Sequence, residues 1–313
     1  MRVLVTRRLP EGGLEPLAGH ELIGPKADDA PYSAAELRAL AGAVDAIVCL
    51  LTDRIDSDVL DSGAGRLRVV GNVAVGYDNV DVAAADRHGI IVCNTPDVLD
   101  ETTADTAFLL MLAAARLASE AERDLRSGTW ARWGINEYLG QDVHDAVLGI
   151  VGFGRIGRAV AERATGFGMR IIHHARRPTD VAGYVADLDA LLSHSDFVTL
   201  HVPGGADTHH LIDERRLALM RPTAVLVNTA RGTVVDEAAL ADALHAGRLF
   251  AAGIDVYERE PEIHPRLLDA PRTVLLPHVG SASRRTRTRM ATLATSAVAT
   301  VLAGGTPPNV VRG

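Results

Sequence analysis

The sequence predicts an α/β protein with two domains, each a parallel β-sheet with helices on its faces. The chain has 313 residues, which is long enough for two cores because domains usually span about 100–200 residues. Short apolar runs, typical of buried strands, alternate with helix-like segments, which is the rhythm of βαβ units. A glycine-rich turn near the middle of the chain begins the second of two such series.

The first series predicts a domain of five strands. Its predicted strands are residues 3–5, 21–23, 46–51, 67–72 and 90–93, with helices at 34–40, 56–60 and 82–87. A loop that includes Val75 and Gly76 follows the fourth strand. Open α/β sheets bind ligands at the carboxyl ends of their strands, so this loop is a candidate ligand contact.

The longest helical signal covers about residues 101–125. At ~1.5 Å per residue this helix would be nearly 40 Å long, which suits a link between domains or a subunit interface. Trp130 and Trp133 follow in a polar segment. They could pack in a core, but their closeness in a chain with few aromatic residues favours an interface or a pocket.

Residues 147–151 form an apolar run that predicts a buried strand, and three glycines, Gly152, Gly154 and Gly157, separate it from a helix-like stretch at 158–167. Gly152 permits the tight turn, Gly154 lets a pyrophosphate approach bare backbone, and Gly157 allows close helix packing. The first N–H groups of the helix then face the phosphates. Because a strand and a helix flank it, the motif predicts a dinucleotide site.

The second series predicts a doubly wound, Rossmann-type domain that binds the dinucleotide. Its further strands are predicted at 170–174, 197–201, 224–228, 250–256 and 273–276, with helices at 187–193, 213–219 and 236–246. A last helix, at about 283–303, has no neighbouring element to pack on and is expected to return to the first domain. The expected boundaries are 1–98 with 284–313 for a substrate-binding domain and 99–283 for the NAD(P)-binding domain.

Composition excludes several classes of protein. The net charge is −8 without a block of like charge, which argues against nucleic acid as a partner. The sequence has no run of about 18 or more apolar residues and no signal-peptide pattern after Met1, so we expect no membrane partner and a cytoplasmic location. Cys49 and Cys93 lie in apolar runs, and neither a disulfide nor a metal site is predicted.

The second strand of the dinucleotide-binding domain indicates the cofactor. NAD-specific sites place an Asp or Glu at the end of this strand to bind the ribose hydroxyls. Here the strand at 170–174 is followed by Arg176 and Arg177, and no acid lies between Glu162 and Asp180. Guanidinium groups bind a phosphate bidentately. The sequence therefore favours NADP(H), with NAD(H) as the alternative.

Three residues at successive strand ends fit the reduction of a 2-oxo acid. Such a reaction needs a cation for the carboxylate, a proton donor for the carbonyl oxygen and a group that keeps the donor protonated. Arg231 can hold the carboxylate and polarise the carbonyl, and His278 can pass a proton near neutral pH. Glu260 would raise the pKa of His278 if hydrogen-bonded to it. Together the three predict a dehydrogenase site.

At these residues the chain resembles the D-isomer-specific 2-hydroxyacid dehydrogenases. The resemblance covers nearly the whole length, through segments 76–81, 94–99, 103–105, 152–157, 200–203, 228–232, 255–261 and 277–281. It implies a Rossmann domain, a smaller flavodoxin-like substrate domain that is discontinuous, and a homodimer through the long helix. It also implies that Arg231, Glu260 and His278 are the catalytic trio and that Val75 and Gly76 bind the substrate carboxylate through backbone N–H groups.

Further site residues follow from the same resemblance. The implied cofactor contacts are Thr103, Gly152, Gly154, Arg155, Ile156, Gly157, Arg176, Arg177, Pro203, Thr208, Thr229, Asp255 and Gly280. Within the family, the segment 49–53, the two tryptophans and the arginine pair look most like glyoxylate and hydroxypyruvate reductases, which commonly use NADPH. Leu51 would then line the pocket of a small 2-oxo acid. Two loops depart from the family pattern, at 142–146 and 204–206.

Other functions stay open at the level of sequence. A 3-phosphoglycerate dehydrogenase would want an acidic ribose binder, which is missing, and formate dehydrogenase relatives carry a glutamine where Glu260 stands. Phosphite dehydrogenase keeps the same trio. The related C-terminal-binding corepressors, which sense nucleotides without needing turnover, can retain it too. The intact trio favours an enzyme.

Overall fold

A computed structural model describes residues 1–311, which divide into two compact units. Met1–Leu99 and the chain from Ala282 onward form the first unit, and Asp100–Ser281 form the second. Each unit is built on one sheet whose strands are all parallel, of five and six strands respectively. The predicted fold class, two parallel-sheet α/β domains, is confirmed. No helix within residues 1–311 is long and apolar enough to cross a membrane.

The first unit has the strand order β2-β1-β3-β4-β5. Its elements are β1 Arg2–Val5, β2 Glu21–Ile23, α1 Ala34–Ala41, β3 Ala46–Cys49, α2 Ser57–Ser62, β4 Val69–Asn72, α3 Val82–Arg87 and β5 Ile91–Cys93. The C-terminal helix, Arg284–Leu302, packs on β3, β4 and β5. Arg68, just before β4, donates to the carbonyls of Val301 and Leu302 at 2.8 and 3.1 Å. The end of this helix is thereby fixed to the first sheet.

The second unit has the strand order β11-β10-β9-β8-β6-β7. Its strands are β6 Val147–Val151, β7 Arg170–His174, β8 Phe197–Leu200, β9 Val225–Asn228, β10 Ala251–Ile254 and β11 Thr273–Leu275. Its helices are α4 Asp100–Ala115, α5 Ala118–Ser127, α6 Arg155–Thr165, α7 Leu188–His194, α8 Glu214–Leu217, α9 Glu237–His245 and α10 Pro265–Leu268. Apolar clusters lie on both faces of the sheet. From β6, the chain first adds β7 on one side and then continues with β8 on the other side. Doubly wound sheets bind ligands at such a switch point.

The single long helix expected at 101–125 is wrong, because the chain forms two helices there. Helix α4 ends at Ala115 and α5 begins at Ala118, with Leu117 in the left-handed region at φ 53°. The carbonyl of Ala115 accepts the N–H of Gln141 at 2.9 Å. Gly140 makes this approach feasible, since a Cβ there would lie 2.1 Å from the Ala115 oxygen. A segment distant in sequence therefore ends the helix, and no Gly or Pro near residue 115 indicates this end in the sequence.

The segment after α5 carries large apolar side chains on the surface. Trp130 and Trp133 are 48% and 73% exposed, so core packing is excluded for both. Leu125, Ile135 and Leu139 are exposed as well. Every residue of helix α5 is at least partly exposed. This part of the second unit therefore presents an apolar surface.

The close packing of α6 against β6 depends on Gly157. A Cβ at this position would lie 2.2 Å from the carbonyl oxygen of Gly152, far inside van der Waals contact. Because that oxygen belongs to the backbone, it cannot move away without displacing the turn. The close approach lets α6 bury Val160 and Ala164 completely.

Replacing Gly157 by Ala is expected to lower the free energy of unfolding by about 1–3 kcal/mol, the usual effect of forcing a methyl group into a packed site. Urea unfolding followed by circular dichroism measures it. Gly166→Ala is the matched control, because Gly166 ends the same helix in ordinary helical geometry and its nearest contact would be 3.4 Å. Equal stability of the two variants would contradict the packing argument.

Candidate functional site

The glycine turn forms an open cradle at the switch point of the second sheet. Gly152 has φ +95°, and a Cβ there would lie 2.5 Å from the carbonyl of His201, so only glycine fits. A Cβ at Gly154, in contrast, would meet nothing within 4 Å. Gly154 is also the N-cap of α6 and provides no side-chain cap, which leaves the first N–H groups of the helix available. These features fit the phosphates of a dinucleotide.

Other predicted cofactor residues lie at the ends of neighbouring strands. Thr229, just after β9, has a buried hydroxyl with no hydrogen-bond partner among residues 1–311, which a ligand could satisfy. Thr208 Oγ1 donates to the carbonyl of Pro203 at 2.7 Å, which closes the loop after β8. Arg155 lies 3.4 Å from Asp100 and is oriented by that carboxylate. Ile156 is the second residue of α6.

Arg176 and Arg177 follow β7 and are both exposed. Strand β7 is an edge strand, and its neighbour β6 leads into the glycine turn. The arginine pair therefore lies at the same ends of the parallel strands as the turn, one strand further out. The preceding His173 is buried, stacks on Phe153 with ring centroids 3.8 Å apart, and bonds to Thr179 through Nε2 at 2.7 Å. His173 is therefore structural, while the arginine pair faces solvent.

Two of the predicted catalytic residues are in direct contact. His278 Nδ1 and Glu260 Oε2 are 2.7 Å apart, and both side chains keep about a quarter of their surface exposed, at 26% and 23%. The other oxygen of Glu260 accepts the N–H of Tyr257 at 3.0 Å. Burial alone would raise the pKa of Glu260, but the hydrogen bond and charge of His278 outweigh it and lower the pKa. The pair therefore holds an ionised carboxylate against the Nδ1 side of a partly exposed imidazole.

Asp255 fixes the loop that carries His278. Its two carboxylate oxygens accept the N–H groups of Val279 and Gly280 at 2.7 and 2.8 Å, and its carbonyl accepts the N–H of His278 at 2.8 Å. Burial raises the pKa of Asp255 despite these hydrogen bonds. Thr103 of α4 lies beside Gly280. Asp255, Gly280 and Thr103 thus form one cluster, and their predicted contacts with a cofactor stay predictions.

Arg231 lies in the loop after β9, which Asn228 shapes. Asn228 is 1% exposed, donates to the carbonyl of Arg231 at 2.9 Å and accepts from the N–H of Ala230 at 3.0 Å. The charge of Arg231 contributes to the lowered pKa of Glu260, so the guanidinium is within electrostatic reach of the pair. All three predicted catalytic residues therefore gather on loops after β9, β10 and β11.

The predicted substrate-binding residues of the first unit lie on two loops joined by a buried polar network. Asn79 Nδ2 donates to the carbonyls of Leu50 and Asp53 at 3.1 and 3.0 Å, next to Leu51. Asn72, which is fully buried, donates to the carbonyl of Gly76 at 2.9 Å. The network sets the conformation of both loops. Whether Leu51, Val75 and Gly76 contact a substrate stays a prediction.

Sequence reasoning missed several residues that shape these loops. Asn228 and Asn72 each end an apolar run, and that position was a usable signal for a side chain that bonds to the following loop. Asn79 lies in the segment 76–81, which resembles the family, but no role was predicted for its side chain.

The lowered pKa of Glu260 predicts a pH-dependent contribution to stability. A carboxylate whose pKa falls on folding stabilises the protein above its unfolded pKa of about 4.3, and this contribution is lost as the pH falls through the lower folded value. The difference in unfolding free energy between wild type and Glu260→Gln should therefore shrink as the pH is lowered from 7 to below 4. Glu262→Gln, at an exposed position of the same turn, should show little difference at any pH. Chemical denaturation across this range measures both, and a constant Glu260 difference would contradict the assignment.

The chain is similar to known proteins of one enzyme family. Residues 108–280 match the family described as D-isomer specific 2-hydroxyacid dehydrogenase, NAD binding domain. A glyoxylate reductase from Thermococcus onnurineus is 45% identical over 99% of this chain and 96% of its own length. The TT0316 protein from Thermus thermophilus superposes with a TM-score of 0.94 at 42% identity, covering 100% of both chains.

A second similar structure was solved with bound ligands. The NADPH-dependent glyoxylate/hydroxypyruvate reductase from Sinorhizobium meliloti, in complex with NADP and malonate, superposes with a TM-score of 0.87 at 37% identity. The superposition covers 99% of this chain and 96% of that one. Similarity of this degree over nearly the whole chain means that the protein belongs to the D-isomer-specific 2-hydroxyacid dehydrogenase family and is an NAD(P)-dependent enzyme of that family.

Proposed function

We propose that the protein reduces small 2-oxo acids, glyoxylate and hydroxypyruvate, to 2-hydroxy acids, with the D configuration where the product is chiral, and that it prefers NADPH. The observation that carries the proposal is the 2.7 Å contact between His278 and Glu260 in the unit that also holds the glycine turn. The names of the relatives from Thermococcus onnurineus and Sinorhizobium meliloti support the substrate class.

The proposed roles follow from the chemistry of the three side chains. Arg231 binds the carboxylate of the oxo acid and polarises its carbonyl group. His278 donates a proton from Nε2 to the carbonyl oxygen, and Glu260 orients the ring and stabilises its protonated form. A bound nicotinamide cofactor supplies a hydride to the carbonyl carbon. The N–H groups of Val75 and Gly76 provide further donors for the carboxylate, and Leu51 limits the size of the substrate.

The cofactor would be held mainly by the glycine turn and the strand ends beside it. Gly154 leaves room for the pyrophosphate, while Gly152 and Gly157 permit the turn and the close packing of α6. The first N–H groups of α6 would face the phosphates. The remaining proposed contacts are Thr103, Arg155, Ile156, Pro203, Thr208, Thr229, Asp255 and Gly280. Arg176 and Arg177 would bind a 2′-phosphate, and the absence of an acid at the end of β7 supports NADPH over NADH.

The assembly we propose is a homodimer. Large apolar side chains are exposed in the segment 125–139, among them Trp130 and Trp133, and exposed apolar surface of this kind commonly marks an interface. Helix α5 and this segment are therefore the proposed contact, in place of one continuous helix. The proposed domain roles are substrate binding for the first unit and NAD(P) binding for the second.

Steady-state kinetics test the proposed activity. We expect kcat/KM with NADPH at pH 7 to be highest for glyoxylate and hydroxypyruvate and lower for pyruvate and a bulky 2-oxo acid. His278→Ala should lower turnover by a factor of about 10²–10⁴, the usual effect of losing a general acid, while NADPH still binds. Wild type without turnover on any 2-oxo acid would refute the proposal, and unchanged turnover in the variant would refute the role of His278.

Cofactor preference is tested separately by replacing Arg176 and Arg177 together with Ala. We expect KM for NADPH to rise roughly 10–100-fold, as for the loss of hydrogen bonds to a charged group, with KM for NADH nearly unchanged. Arg170→Ala, at the exposed start of the same strand, is the matched control. An equal effect on both cofactors would mean that the pair does not bind the 2′-phosphate.

A further inference from the structure

A carboxylate lies buried beneath the turn that carries Glu260. Glu237 is the first residue of α9 and is only 6% exposed. Acids in the first turn of a helix usually face solvent, where they interact with the helix dipole at little cost. Burying a carboxylate is unfavourable unless hydrogen bonds replace its lost hydration. The hydrogen-bond partners of Glu237 therefore indicate what its burial achieves.

Both oxygens of Glu237 bind backbone on either side of Glu260. Oε1 accepts the N–H of Glu258 at 2.5 Å, and Oε2 accepts the N–H of His264 at 3.1 Å. Glu258 returns the contact, since its Oε1 accepts the N–H of Glu237 at 2.9 Å. Between these anchors, the N–H of Glu262 bonds to the carbonyl of Arg259 at 2.8 Å and closes a tight turn. Glu260 lies inside that turn.

We propose that Glu237 is a positioning residue, whose carboxylate fixes both ends of the segment 258–264 so that Glu260 stays hydrogen-bonded to His278. Its importance for turnover rests on the proposed function, but the positioning itself does not. A carboxylate suits this task because it offers two acceptors to two N–H groups. A glutamine would satisfy one N–H and direct its own NH₂ group at the other.

Direct electrostatic effects among the charged groups near these residues must be distinguished from positioning by Glu237. His210 lies 3.2 Å from Glu258 and 3.8 Å from Asp236, on the side of Glu237. His278 faces Asp255 as well as Glu260, and Glu260 faces Arg231. Removing the charge of Glu237 could therefore affect His278 directly through space. A double-mutant cycle with Glu260 distinguishes this direct effect from positioning.

The experiment is an NMR titration of the His278 imidazole in the full chain, with the signal assigned by its loss in His278→Ala. In Glu237→Ala we expect the titration midpoint of His278 to move to lower pH, towards that of Glu260→Gln, because the imidazolium loses its carboxylate partner. In the Glu260→Gln background, Glu237→Ala should cause no further shift. Asp242→Ala, at a carboxylate of the same helix that pairs with Arg266, should leave the midpoint unchanged.

An unchanged midpoint in Glu237→Ala would overturn the proposal, and so would an equal shift in the presence and absence of Glu260. Glu237→Gln provides a second variant of nearly the same volume, for the case that Glu237→Ala does not fold. It keeps one of the two anchors, and we expect a smaller shift in the same direction. A Gln variant that matches wild type would also overturn the proposal.

Kinetics then connect the positioning to turnover. We expect Glu237→Ala to lower kcat/KM for glyoxylate by roughly 10²-fold, the scale of effect that misplacing a reacting group by about 1 Å can have, while the dissociation constant of NADPH stays the same. In the Glu260→Gln background the same change should have little effect. If wild type does not reduce glyoxylate, the proposed function fails, and the NMR titration still decides the role of Glu237.

Discussion

The hydrogen bond between His278 and Glu260 is the interaction on which the proposed chemistry depends, and its two partners come from different loops. They are 18 residues apart in the chain and follow the paired strands β10 and β11. Strand pairing brings the starts of such loops to within about 5 Å of each other. It does not fix the direction of a side chain several residues further on, so the contact needs additional restraints on each loop.

Those restraints are buried carboxylates that bind backbone N–H groups. Asp255 holds the loop of His278, and Glu237 holds the turn of Glu260. Asp53 does the same in the first unit, where it accepts the N–H of Leu50 at 2.8 Å. Charge-assisted hydrogen bonds are stronger than neutral ones, and an ionised carboxylate is stable in a buried place only while they persist. The loop and the carboxylate therefore stabilise each other, without the bulky apolar side chains that would fill a ligand site.

Sequence predicted most of the fold and provided candidates for the reactive side chains, but it did not predict the contacts that position them. The run at 147–151 coincides with β6, since a parallel strand covered by helices shows as a continuous apolar segment. The end of α4 was not predictable, because it depends on Gln141 reaching it from a distant segment. Arg231 and His278 could be proposed as reactive residues from their chemical type and their position at a strand end. Glu237 could not, because its importance lies in backbone groups more than 20 residues away.

The sheet also separates the residues proposed to select the cofactor from those proposed for acid–base chemistry. Arg176 and Arg177 follow β7 at one edge, while the loops of the proposed catalytic residues follow β9, β10 and β11 towards the other. Four strand spacings of about 4.8 Å place β7 and β10 about 19 Å apart, well beyond the screening length of about 8 Å for exposed charges in physiological salt. Charges at the end of β7, where we propose that the 2′-phosphate binds, therefore have little electrostatic influence on the proposed acid–base residues. We therefore expect that a change of cofactor preference at the edge formed by β7 requires no compensating change near β10 and β11.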